Sequence, residues 1–170
     1  MKLLETLRGR RRLFDCIAAL ACVLMLGYAY FLQFHRGLQP CPLCIFQRIA
    51  IAALALAFLL AAIPPEAWRG LRRAAAVLVG LAAAAGIGVA ARHLYIQSLP
   101  PGKVPVCGAT LDYMWEVFPA MDVLRKVLTG SGECAEVNWT FLGFSMPEWT
   151  LLCFVLLGIG ALVAGFRRRP

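Results

Sequence analysis

The sequence predicts an all-α membrane protein: a four-helix transmembrane bundle with a long extracytoplasmic loop between helices 3 and 4, one integral membrane domain over residues 1–170. Three observations predict it. Of the 170 residues 61% are hydrophobic and only 15% charged, and the apolar residues fall in long blocks instead of alternating with polar ones. Four blocks approach the roughly 20 residues that cross a hydrocarbon core. The basic residues gather in three clusters between or outside the blocks.

The first expected span, residues 14–32, follows a basic arm of Lys2, Arg8, Arg10, Arg11 and Arg12. Its apolar run is longer than a secretory signal core, and no small-x-small cleavage site precedes the next polar segment, so it reads as an uncleaved first helix. The second span, 45–63, and the third, 74–91, are joined by a short link with Pro64, Pro65, Trp68 and Gly70, which makes neighbouring helices antiparallel. Alanines with Gly80, Gly86 and Gly88 predict close packing of the third helix. The fourth span covers 149–166.

Eleven of the seventeen basic residues lie in the N-terminal arm, the middle turn (Arg69, Arg72, Arg73) and the tail (Arg167, Arg168, Arg169). By the positive-inside rule that side is cytoplasmic, with both termini on it, and the loops at about 33–44 and 92–148 are extracytoplasmic. The net charge of +8 is thus a topology signal that also favours the anionic lipid bilayer, and it argues for no nucleic-acid partner.

The long loop carries six acids over residues 94–148 against Lys103, Arg125 and Lys126. Leu99-Pro-Pro-Gly-Lys-Val-Pro predicts an irregular, mobile approach to Cys107. Apolar residues then recur at near-helical spacing (Leu111, Trp115, Phe118, Met121, Leu124, Leu128), broken by Pro119. That pattern fits a broken helix on the membrane surface and equally one packed on the bundle. Trp139, Phe141, Phe144 and Trp149 predict an aromatic belt where the chain re-enters the bilayer.

Four of the seven cysteines fall outside the bilayer in two pairs, which suits an oxidising compartment such as the periplasm. Cys107 and Cys134 alone would read as a structural staple. Cys41-Pro42-Leu43-Cys44 reads differently, because so small a loop restricts the unfolded chain little while close spacing suits reversible exchange. Pro42 limits the geometry of the pair, and Cys44 at a helix start meets the positive end of the macrodipole. Arg48 follows one turn later on the same face, where its bland role is an interfacial anchor and its functional one a partner to the thiol. His93 reaches the same depth from the third helix, and beside Arg48 it becomes a donor to a membrane-borne carbonyl. Zinc held by Cys41, Cys44, Cys107 and Cys134 is the rival, though the last two have no compact knuckle spacing, so the reading carries no metal. Haem attachment fails at Ile45, where histidine is needed. Cys16, Cys22 and Cys153 lie within the spans and read as packing residues.

Cys41-Pro-Leu-Cys44-Ile-Phe-Gln-Arg48 and Gly132-Glu-Cys134-Ala-Glu, supported by Phe141-Leu-Gly-Phe-Ser-Met-Pro-Glu-Trp149, resemble the disulfide bond formation protein B (DsbB) family across nearly the whole chain. The resemblance implies a membrane thiol:quinone oxidoreductase of the bacterial inner membrane that regenerates a soluble periplasmic DsbA-type thiol oxidase. Its acceptor would be ubiquinone or menaquinone from the membrane pool of the respiratory chain, since the soluble partner is already a strong oxidant. By the same resemblance the partner's thiolate attacks Cys107, Cys134 is freed to engage Cys41, and Cys44 is left as the thiolate that meets the quinone. Arg48 and His93 would hold the quinone ring. Position 47 departs from the pattern, being Gln where some members carry an acid. Two other readings remain: a quinone-epoxide reductase on a similar scaffold, and a non-enzymatic scaffold with structural disulfides.

Overall fold

The computed structural model describes residues 2–63, 68–100, 103 and 111–166. Cys107, the Pro64–Pro65 link and the Arg167–Arg169 tail lie outside the described residues. The first helix, α1 (Lys2–Arg36), is followed by α2 (Pro42–Ala62), α3 (Arg69–Gln97), the short α4 (Leu111–Val117) and α5 (Ala120–Thr129), a 3-10 turn (Gly132–Cys134), a two-stranded hairpin and α6 (Met146–Phe166). Four of these helices are long and apolar enough to cross a membrane: Arg12–Arg36 within α1, α2, Gly70–Gln97 within α3, and Met146–Ala164 within α6. The architecture is the helical membrane bundle that the composition implies.

Each helix outruns its apolar block, because helix ends are set by capping and not by hydropathy. The basic arm continues into α1 as good helix-forming sequence, until Gly37 adopts a left-handed φ of +66° and ends it. α2 begins three residues before the apolar run. Pro42 sits in its first turn, where a missing N–H costs nothing, and Cys41 is the N-cap, its sulfur accepting from the Cys44 N–H at 3.4 Å. α6 starts with a capping box: the Ser145 N–H and hydroxyl both donate to Glu148 Oε2. The hairpin before it pairs Thr140 with Ser145 and Phe141 with Phe144, and turns through Leu142 and Gly143, both at positive φ.

Around the bundle α1 packs on α2, α2 on α3 and α3 on α6, while α1 and α6 touch only sparsely. The ring is therefore closed on three sides and thin on the fourth. Its core holds Cys22, Leu54, Phe58, Val79, Ala83 and Phe154. α3 and α6 approach closely because Gly86 receives the Phe154 ring and Gly158 lies against Ala83. Gly80 faces Leu162, whereas Gly88 has nothing within 4 Å and plays no packing part. A Cβ at Gly86 would fall 2.3 Å from the ring of Phe154, which is itself buried. Gly86→Ala should accordingly lose about 1–3 kcal/mol of stability, while Gly88→Ala should be neutral or slightly stabilising. Thermal unfolding of the two variants in detergent checks the contrast.

A second cluster caps one end of the bundle: Cys41 and Leu43 from α2, Ile96 from α3, Met114 from α4, Val123 and Val127 from α5, and Cys134. Pro119 splits the expected broken helix into α4 and α5. The face that packs is Met114, Val123 and Val127, whereas Trp115, Met121, Leu124 and Leu128 stay exposed. The helical period was legible, but the packed stripe is set by the residues it meets, Cys41 and Leu43 of α2 and Ile96 of α3, not by the most hydrophobic residues. Arg92 locks this arrangement by donating to the Leu128 and Thr129 carbonyls at 2.7 and 2.9 Å, satisfying the open C-terminal end of α5.

Candidate functional site

The capped end of the bundle gathers three sulfurs and an imidazole. The Cys41 N-cap geometry turns its side chain back over the first turn of α2, which brings its sulfur to 3.1 Å from that of Cys44. No other arrangement of a two-residue spacing needs so little: a capping residue and the third residue of the helix already face each other. His93, near the end of α3, brings Nε2 to 3.8 Å from the Cys41 sulfur. The same nitrogen lies 3.0 Å from the Cys134 carbonyl. Cys134 ends the 3-10 turn, fully buried, with Ser131 Oγ at 3.6 Å from its sulfur. Its thiol is held well above the usual thiol range, first by its hydrogen bond with Cys41 and then by burial.

Arg48 follows Cys44 by one turn, as the spacing implies, and α1 supplies its partners. The guanidinium donates to the Gln33 side-chain oxygen and to the Ala29 carbonyl, the latter at 3.1 Å, and lies over the Tyr30 ring at 4.9 Å from its centre. These partners are all neutral, so the positive charge is positioned without being cancelled. Such a charge within an apolar segment is a site for an anion or a polarised carbonyl.

Two openings meet the sulfur pair from different sides. Cys44 lines a cavity of about 260 Å³ at the thin side of the bundle, between α1, α2 and α6. Arg48, Gln47 and Thr150 supply its polar wall, and Tyr28, Trp139 and Trp149 its aromatic one. Cys41 is not on that cavity; it lines a wider groove of about 810 Å³ with Pro40, Gln39, Glu133 and Glu136. Arg48 borders both openings. Cys44 but not Cys41 therefore lines the apolar cavity, Cys41 but not Cys44 the wide groove, and both line a smaller pocket of about 80 Å³ together with Arg48 and His93.

Of the residues singled out in the sequence, Cys41, Cys44, Cys134, Arg48 and His93 converge here, and Cys107 lies outside the described residues. His93 does not line the 260 Å³ cavity but shares a smaller pocket with Cys44 and Arg48, and it stands against Cys41 and Cys134. Gln47 takes its place on the cavity wall. Cys153, read as packing, also lines that cavity, while Cys22 is in the core. The reading of Trp139 and Trp149 as belt residues missed their second role as cavity walls. Thr150 was missed altogether, its only sequence signal being a hydroxyl at the start of an apolar span. Among the described residues, which do not include Cys107, the atoms that converge within 4.8 Å are the sulfurs of Cys41 and Cys44 and an imidazole nitrogen of His93. Both ring nitrogens are already engaged in hydrogen bonds, so a cation there would have to break one.

The family model for disulfide bond formation protein DsbB matches residues 11–164. A disulfide bond formation protein B from Xanthomonas campestris pv. campestris (strain 8004) is 49% identical over 150 residues, covering 88% of this chain and 87% of its own. The protein of that name from Chromohalobacter salexigens is 52% identical over 141 residues (83% and 82%), and that from Xylella fastidiosa 44% over 154 residues (89% of each). The match spans all four long helices and the segment that carries the sulfurs, and the chain belongs to the DsbB family.

Proposed function

We propose that this disulfide-forming oxidoreductase is a thiol:quinone oxidoreductase that reoxidises a periplasmic DsbA-type protein, passing electrons from Cys107/Cys134 to Cys41/Cys44 and on to membrane quinone. The observation that carries the proposal is the division of the sulfur pair between two openings: Cys41 toward the groove beside Cys134, Cys44 toward the apolar cavity with Arg48. A thiol that must exchange with other sulfurs and a thiol that must meet a lipid-soluble ring need different surroundings, and one N-capping motif supplies both. Each cycle oxidises two partner thiols to a disulfide, and two electrons and two protons pass to the acceptor. Quinone, when bound, supplies the two-electron acceptor that a sulfur relay lacks.

The chain's own residues account for the rest. Aromatic side chains flank a slot suited to a flat ring, and Arg48 offers N–H donors to a carbonyl oxygen that gains negative charge, an interaction strengthened by the low local dielectric. The basic clusters orient both termini to the cytoplasm and the sulfurs to the periplasm. His93 serves the sulfur side of the relay in this reading, instead of the ring. The acidic rim of the groove, Glu133 and Glu136, faces the approaching partner.

The test is quinone reduction by the purified protein given a reduced DsbA-type partner, followed by loss of quinone absorbance. Parent protein should turn over, and Arg48→Leu should raise the KM for quinone by about 10- to 100-fold, the range for losing a hydrogen bond from a charged donor. An unchanged KM would remove Arg48 from the acceptor site, and no turnover in the parent would end the proposal.

A further inference from the structure

The structure gives the glutamine at position 47 specific work. Gln47, His93 and Thr150 are all buried, and they form one chain of hydrogen bonds. The Thr150 hydroxyl donates to Gln47 Oε1 at 2.7 Å. Gln47 Nε2 lies 2.9 Å from His93 Nδ1, and His93 Nε2 lies 3.0 Å from the Cys134 carbonyl. The far end decides the near one. A backbone carbonyl only accepts, so His93 Nε2 must carry a proton. With the one Thr150 proton given to Gln47 Oε1 at 2.7 Å and not to the Pro147 carbonyl at 3.0 Å, the Gln47 amide presents N–H to Nδ1, which must then be bare. The chain thus defines one neutral tautomer, assigned from the network as such assignments are. That tautomer gives its single proton to the Cys134 carbonyl at 3.0 Å, and the same N–H, 3.8 Å from the Cys41 sulfur, is within reach of that sulfur once it carries negative charge.

We propose that Gln47, backed by Thr150, is a positioning residue that fixes His93 in the Nε2–H tautomer, so that the ring acts on Cys41 as a hydrogen-bond donor and not as a base. The inference rests on the sulfur relay described above. When an incoming thiolate attacks Cys134 in a Cys41–Cys134 disulfide, the new S–S bond forms on Cys134 as the old one breaks, and Cys41 departs with the electron pair. An N–H already within reach stabilises the departing thiolate with no proton transfer. A carboxylate at position 47 could not play the same part, because it only accepts and would demand a proton on Nδ1. Glutamine therefore sets a different proton position behind the same sulfurs.

The chain has only two histidines, so ¹⁵N-histidine labelling of a His35→Gln protein reads His93 alone. The expected spectrum at neutral pH shows a proton-bearing Nε2 and a bare Nδ1. Gln47→Glu should move a proton onto Nδ1. Thr150→Val, which removes one hydroxyl and keeps the volume, should free the amide to rotate and give a mixture of tautomers. Gln47→Leu should slow thiol exchange at Cys41 about three- to tenfold, the range for one net hydrogen bond. A parent spectrum with a proton on Nδ1, or a single unchanged tautomer in both Gln47→Glu and Thr150→Val, overturns the proposal. Should Gln47→Glu fail to fold, Thr150→Val decides alone: a mixed ring supports the assignment, an unchanged one overturns it. A fixed tautomer in a parent that reduces no quinone would instead sink the thiol:quinone reading and leave the Gln47 assignment standing.

Discussion

Cys44→Ser is expected to abolish quinone reduction, lowering turnover at least a thousandfold. The hydroxyl occupies nearly the same volume as the thiol at the cavity wall, so the bundle and the Arg48 bonds to α1 should survive. What disappears is the only sulfur of the exchanging pair that faces the cavity. Serine forms no disulfide with Cys41 and is far too weak an acid to supply the corresponding anion. Cys153 lines the same cavity, but it is one span turn deeper and has no partner cysteine at exchange distance described beside it, so it should not substitute. The measurement is quinone absorbance over time with saturating reduced partner. Parent-like turnover in Cys44→Ser would refute the relay through this pair, whatever the family.

Cys134→Ser should separate the two halves of the path. Turnover driven by the DsbA-type partner is expected to fall by at least a hundredfold, while turnover driven by a small dithiol, which can reach Cys41 through the groove, should remain within a few-fold of the parent. Equal losses with both reductants would place Cys134 in the scaffold and not in the relay. The parent protein offers a companion reading through pH. Because its hydrogen bond with Cys41 and its burial raise the Cys134 thiol, that group stays protonated at neutral pH in the reduced protein. The thiolate is the reactive form, so alkylation of Cys134 should be slow at neutral pH and rise about tenfold per pH unit into the alkaline range. Mass spectrometry of quenched samples follows it directly. A rate independent of pH would mean that the thiol is not held up as described.

Much of this protein could be read from its residues in order. Four apolar blocks were enough for the bundle, because crossing a bilayer constrains length and hydropathy so tightly that composition becomes architecture. Helix ends were less legible. Cys41 caps α2 three residues before the apolar run starts, since capping depends on local backbone geometry and leaves little mark on hydropathy. The packed face of α5 was missed for a related reason: Val123 and Val127 are buried by what α2, α3 and α4 together bring to the cap, not by their own rank in hydrophobicity.

What the sequence by itself determined is the set of parts: a membrane bundle, a cysteine pair at the start of a span, and a cation one turn behind it. Only the tertiary structure decided their directions. Residues 41, 44 and 47 lie within two turns of one helix, yet the sulfur of the first meets a groove, that of the second a cavity, and the amide of the third a histidine 46 positions away. Helical spacing says which side chains share a face, but what that face meets depends on the sparse contact between α1 and α6 and on the Arg92 clasp that seats Cys134 over α3. Those are contacts between distant segments, and no local pattern encodes them.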